Sequence, residues 1–401
     1  MVVVGAGPAG ATLSWLLARR GVDVTLLERR RDFAREFRGE VLMPSGVEAL
    51  EQMGLRTVLD ATPRYVQQEA AVYLNGREIF RASLESEAFR SQPPIAISQP
   101  ALLEGVVRSA QQCSRFSFER GVAVRSLQWE DGCVTGVTIR HRGDQTERTV
   151  PADLVIGADG RNSIVRRQLG LSARSLSPPM DVIWCKIPSP EAWTGGRGYT
   201  GRGHLLIAYR TWDDTLQLGW VILKGTFGDM RNRGVDAWIE EMANQVSPDL
   251  AAHLRRHGQD VRSPFLLESV SDRVERWSRP GAIVIGDAAH AMSPVAGQGI
   301  NIALRDAIVA ANHLVPLLSK SASPDRLKRA LETIEAERLP EVKRIQALQA
   351  HPPKVVLSRA WWGEPLRQVA SAALRRPSIR ARLAYLMADF LHGVTSVRLA
   401  A

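Results

Sequence analysis

Cysteine, lysine and long apolar runs are all scarce in this sequence. Three cysteines (Cys113, Cys133, Cys185) are scattered through 401 residues without CxxC or CxxH spacing. That argues against a disulfide framework and a structural zinc, so no metal is expected, and it fits a reducing cytoplasm. No uncharged stretch reaches the roughly 18 residues that a membrane-spanning helix needs. No signal peptide is expected either, because MVVV reads as a strand and the apolar run after it is interrupted by glycine and arginine. Lysine supplies only six of the 52 basic residues, which leave a net charge of +10. A basic protein suggests a nucleic-acid binder. Here the arginines are dispersed, with no basic run of five and no aromatic-basic motif, so no nucleic-acid partner is expected. Attraction to anionic cofactors or an acidic membrane surface explains the charge more simply.

Hydrophobic residues make up 45% of the chain, an ordinary globular proportion, and the length suggests two or three domains. Residues 1–28 read as strand, tight turn, helix and strand. Within them Gly5, Gly7 and Gly10 form GAGPAG between strand and helix. The first glycine permits the turn, the second lets backbone approach a pyrophosphate, and the third allows close helix packing, with Ala9 between them. The helix N-terminus offers N–H groups and partial positive charge to the anion. Glu28, followed by Arg29, ends the second strand where an acid accepts from ribose hydroxyls. This choice of acid favours FAD or NAD over NADP at this site.

Two later stretches decide between them. GADGRNSIVRRQLG (157–170) and GDAAHAMSPVAGQGINIALRDA (286–307) follow buried-strand patterns. Together with GAGPAG they resemble, in order and separation, the three motifs of the class A FAD-dependent aromatic-ring monooxygenases. The resemblance covers residues 1 to about 350. It implies non-covalent FAD, NADPH or NADH as a transient donor, and O2 as co-substrate, one atom of which is inserted through a flavin C4a-hydroperoxide. It also implies that Asp159 and Gly160, Asp287, Pro294 and Gly297-Gln298-Gly299 line the flavin. Ile300 and Asn301 open a helix aimed at the ring, whose dipole would favour an anionic reduced flavin. Arg38 and Gln99 match further FAD contacts, and Arg161 and Arg166 are candidates for facing phosphate. His290 reads as structural.

Other flavin chemistries fit less well. Halogenases need a WxWxIP motif where this chain has GWVILK (219–224), and geranylgeranyl-reductase relatives carry glycine and glutamate where His290 and Gln298 stand. A non-enzymatic flavin-binding module is the alternative outside the enzymes. The expected fold is a two-lobe α/β architecture with a Rossmann-type FAD domain (1–72, 95–178, 268–350) and a β-rich substrate domain (73–94, 179–267). One helix is expected in the second lobe near 235–245, and a helical C-terminal region spans 351–401. Trp184, Tyr209 and Trp220, on alternating strands of the β-rich lobe, are candidates to line a pocket for an apolar aromatic, quinone-like or polycyclic substrate. The tail after Trp361-Trp362 is basic and ends in LAYLMADFL, so it either meets a membrane interface or packs across the FAD lobe.

Overall fold

The computed structural model describes residues 1–34, 41–84, 92–201, 203–318, 323–350 and 387–400, with isolated positions at Leu357, Pro365, Val369 and Arg376. In chain order, β1 (Val2–Val4), α1 (Pro8–Arg19) and β2 (Val24–Glu28) open the fold, and α2 (Pro44–Gln52) follows. β3 (Glu69–Leu74) and β4 (Arg77–Ser83) form a hairpin. Its turn residues Asn75 and Gly76 have φ of 48° and 75°, the left-handed pair that matches strand twist in a two-residue loop. α3 (Gln99–Ala110), β5 (Phe116–Arg120), β6 (Val155–Gly157) and α4 (Ile164–Gln168) come next. Then come β7 (Met180–Pro188), β8 (Gly195–Gly201), β9 (His204–Arg210) and β10 (Thr215–Leu223). Three helices follow, α5 (Phe227–Arg233), α6 (Val235–Ala243) and α7 (Pro248–His257). β11 (Arg262–Glu268), β12 (Ala282–Val284), α8 (Gln298–Leu318) and α9 (Pro324–Ala350) complete the main elements.

Five strands in the order β12-β6-β1-β2-β5 pair in parallel, with Ser278–Arg279 antiparallel at one edge. Val2–Val4, Val155–Gly157 and Ala282–Val284 are buried throughout, as uninterrupted apolar strands covered on both faces must be. The second sheet has seven strands, β11-β7-β10-β9-β8-β3-β4, antiparallel except for the β8·β3 pair.

Alternation divides the residues of the second sheet between two layers. Ile183, Cys185, Leu206, Leu218 and Trp220 face the helices, where Trp238, Met242, Leu250 and Leu254 bury them. Met180, Val182, Trp184, Tyr209 and Val221 face the other way and pack with Ala96, Val41 and Val295 of the first lobe. That second layer is the junction of the lobes. Where one helix is expected near 235–245, three stand. Gly234 separates α5 from α6, and Pro248 begins α7, a position where a missing N–H costs nothing.

The end of the chain departs from the expected helix. Residues 387–392 are helical, but 393–400 run without regular structure along the first lobe. Phe390 and Val397 join its core, so this part of LAYLMADFL is packed against protein. Trp361, Trp362, Arg367, Arg375, Arg380 and Arg382, on which the membrane reading rests, lie outside the described residues. Among the described residues no helix is long and apolar enough to cross a membrane.

Candidate active site

Register places Val4 beside Gly157 and Gly157 beside Val284, so the three motifs leave the sheet at adjacent strand ends. They touch there. A Cβ on Gly5, whose φ is +98°, would lie 2.5 Å from the Ala158 carbonyl oxygen, and one on Gly10 would lie 1.9 Å from that of Gly5. One on Gly286 would lie 3.0 Å from the Ala9 Cβ. No side chain caps α1, and its first turn holds no acid, so an anion meets no competitor there. Glu28 is buried, and its two carboxylate oxygens accept from the Ala6 and Arg30 backbone N–H groups, each at 2.9 Å. These bonds hold the carboxylate at the end of β2, beside the glycine turn, where it suits a ribose.

Asp159 lies at the same junction. Its Oδ2 accepts from Ile164 N at 2.7 Å and caps α4, while Oδ1 is buried without a protein partner. Burial pushes its pKa up against the hydrogen bonds from Ser163 and Ile164. An unpaired acceptor of this kind fits a donor hydroxyl of the cofactor. Asp287 is half-buried on a turn directly after β12. These residues fit FAD. Replacing Asp287 with Ala should cost about 1.5–3 kcal/mol of FAD binding if a ribityl hydroxyl loses its charged acceptor. The flavin content of the purified variant checks this, and wild-type occupancy would show the turn to be misread.

The other expected contact residues also have defined places in the fold. Arg161 donates to the Glu268 carbonyl at 2.8 Å, and Arg166 to the Arg161 carbonyl at 2.7 Å with an ion pair to Asp272 at 3.4 Å. Both guanidinium groups therefore have protein partners. The Gln298 amide donates to the carbonyls of Ala296 (2.8 Å) and Phe390 (3.0 Å), so this side chain ties the glycine turn to helix 387–392. Asn301 accepts from Met43 N at 2.9 Å and donates to the Gly297 carbonyl at 2.9 Å, pinning the strand before α2 against the turn. Gln99 is buried at the start of α3, where Ser98 provides the cap. Arg29 is exposed beyond β2, and Arg38 lies outside the described residues. Pro294 and Gly297 belong to the turn into α8, and Gly299 and Ile300 lie in its first turn, which carries no acid. Gly160 follows Asp159 with φ +80° and open space around it.

Of the three aromatic candidates, Trp184 and Tyr209 meet on the junction face, edge to face at 6.4 Å. Trp220 does not. It stacks on His204 at 5.8 Å within the helix-covered layer, because it is one residue out of phase with the junction-facing positions of β10.

A profile described as an FAD binding domain matches residues 1–348. The 6-methylpretetramide 4-monooxygenase of Streptomyces rimosus is 32% identical over 392 residues, covering 96% of this chain and 91% of that protein. The chain belongs to the class A FAD-dependent aromatic-ring monooxygenases. Among solved structures, this monooxygenase is similar to p-nitrophenol 4-monooxygenase from Pseudomonas putida (TM-score 0.80, 17% identity, 98% of each chain). It is also similar to a probable FAD-dependent monooxygenase from Pseudomonas aeruginosa (TM-score 0.77, 22% identity, 89% and 96%). At these identities the likeness is one of fold.

The monooxygenase also holds a buried ionic network that the motifs do not announce. His290 is 1% exposed, and its Nε2 lies 2.7 Å from Asp306, which receives Arg338 Nε on its other oxygen at 2.7 Å and Gly286 N at 3.0 Å. Glu341 takes Arg305 at 2.9 and 3.0 Å, Arg338, and the Val394 N–H at 2.7 Å. The network thus joins the loop after β12, α8, α9 and the chain end. His290 serves packing here, tilted on Trp277 at 5.0 Å.

Proposed function

We propose that this monooxygenase hydroxylates a polycyclic aromatic substrate held between the flavin ring and the junction face of the seven-stranded sheet. The observation that carries the reading is that face itself, with an aromatic corner at Trp184 and Tyr209 and glycines beside it. Added Cβ atoms at Gly196 and Gly198 would meet nothing within 4 Å, so the sheet is open there to a flat ring. The relative that shares 32% identity is named a 6-methylpretetramide 4-monooxygenase, and an oxygenation of that kind suits a broad apolar floor.

When bound, non-covalent FAD supplies hydride acceptance from NADPH or NADH and activation of O2. The chain's part is positional. Met180, Val182 and Val221, all buried, exclude water from the junction. The start of α8, whose first turn holds no acid, directs partial positive charge at the turn that would meet the ring.

Substrate-stimulated NAD(P)H oxidation across phenols, quinols and polyketide aromatics, with product mass raised by one oxygen atom, tests the reading. Oxidation indifferent to all such rings would defeat it. The two tryptophans should then behave differently. Trp184→Leu should raise substrate KM about tenfold through lost ring contact. Trp220→Leu should lower the melting temperature through a cavity in the helix-covered core while KM stays within about twofold. Initial rates and thermal melts of the two variants provide the comparison.

A further inference from the structure

We propose that Gln217 determines which substrates this monooxygenase orients productively, by pairing its amide with a neutral donor–acceptor edge of the ring system. The inference rests on the polycyclic-aromatic reading above and adds to it the chemistry of one substrate edge.

Gln217 is 0% exposed, and both its Nε2 and Oε1 are buried without a partner. Burying an amide unpaired forfeits its hydration with nothing in return, so a polar side chain in that state needs a reason. Its direction follows from the strand. Leu216 and Leu218 on either side face the helices, so Gln217 faces the lobe junction. Tyr209 stands directly opposite it on β9. Two residues along β10 is Gly219, where an added Cβ would lie 2.6 Å from the Trp184 ring. The amide therefore sits at the foot of the aromatic corner.

Beyond Tyr209 the same row reaches Gly196, where the floor is open. On that strand Thr200, which shares the phase of Gly196 and Gly198, also has a buried hydroxyl without a partner.

The chemistry of the missing ligand can be read from these groups. A glutamine amide offers one acceptor and two donors and no charge. The cation beside it, Lys186 on β7, is paired with Asp213 at 2.9 Å, so its charge is already met. An anionic edge would gain little there and lose its hydration. The matching edge is neutral and carries both functions, a carboxamide or a carbonyl beside a hydroxyl.

The test uses FAD-loaded full-length enzyme and three probes of one shape: anthracene-2-carboxamide, 2-acetylanthracene and anthracene-2-carboxylate. Kd is read from the perturbation of flavin absorption. The wild type should bind the carboxamide about tenfold more tightly than either of the others, the worth of one well-made hydrogen bond. In Gln217→Leu that preference should collapse to about onefold, with the change on the carboxamide side. Without ligand, the variant should melt no lower than wild type, because the amide it removes has no protein partner. A preference that survives in Gln217→Leu overturns the assignment while leaving the polycyclic reading intact. A variant that melts well below wild type also overturns it, by showing the amide to be structural. Failure of all three rings to perturb the wild-type flavin overturns the polycyclic reading, and this assignment with it.

Discussion

Gly10→Ala should yield a colourless protein. The added methyl would lie 1.9 Å from the Gly5 carbonyl oxygen and 3.1 Å from the Ala158 side chain, and the nearer contact is with backbone that cannot rotate away. Overpacking of this kind costs about 1–3 kcal/mol where a core can yield. Here the turn and α1 must separate, and the N–H groups at the helix start lose their aim at the pyrophosphate. A loss of FAD affinity of about a hundredfold or more follows from 3 kcal/mol upward. The flavin-to-protein absorbance ratio after gel filtration measures it. Gly228→Ala is the control, since its Cβ would meet nothing within 4 Å and the site lies in α5, away from the flavin motifs. It should retain full colour. A yellow Gly10→Ala protein would mean that the first motif does not hold the cofactor.

Arg338→Met should destabilise the first lobe by about 3–5 kcal/mol, the usual cost of stranding buried charge by removing one partner. Arg338 is 0% exposed and bridges Asp306 and Glu341, which are equally buried. Since domains are stable by only about 5–15 kcal/mol, denaturant melts should show the loss plainly. The same network sets an acid limit. Burial pushes the Asp306 carboxyl up, and the charges and hydrogen bonds of His290 and Arg338 more than offset this, bringing it to about 2. An unfolded aspartate titrates near 3.9. A depressed carboxyl contributes stability that is complete above the unfolded value and lost as pH falls through the folded one. Asp306 should therefore stabilise fully above about pH 4 and lose its contribution toward pH 2. Asp306→Asn should flatten that part of the stability curve, as denaturant melts between pH 2 and 5 would show.

The tail illustrates how far composition leads. Arginine, tryptophan and LAYLMADFL suit a membrane interface as well as they suit packing, because both settings reward apolar residues flanked by cations. Phe390 and Val397 lie in the core of the first lobe, and Gln52, Arg305, Asn312 and Glu341 hold the backbone of 394–400. Those partners are 53 to 347 residues away in sequence, so no local pattern marks them. Gln298 was legible as part of a glycine-flanked turn, but the reach of its amide to Phe390 was not.

What the sequence determined by itself is local. Strand, glycine turn and helix in GAGPAG are set by steric demands within about ten residues, and Asn75-Gly76 and Asp131-Gly132 adopt the left-handed turns their residue types favour. The order and spacing of three such motifs were enough for the cofactor and the chemistry. The tertiary structure alone decided which face of each sheet strand meets the flavin lobe. β10 is apolar on both sides, with Leu216, Leu218 and Trp220 on one and Val221 and Leu223 on the other, so hydrophobic pattern carries no mark of direction. A shift of one residue exchanges the two faces. That parity places Trp220 under helices, Trp184 and Tyr209 at the junction, and an unpaired Gln217 amide between them. The ionic network is decided the same way, because Arg305 and Asp306 on α8 meet Glu341 and Arg338 on α9 only once the two helices pack together.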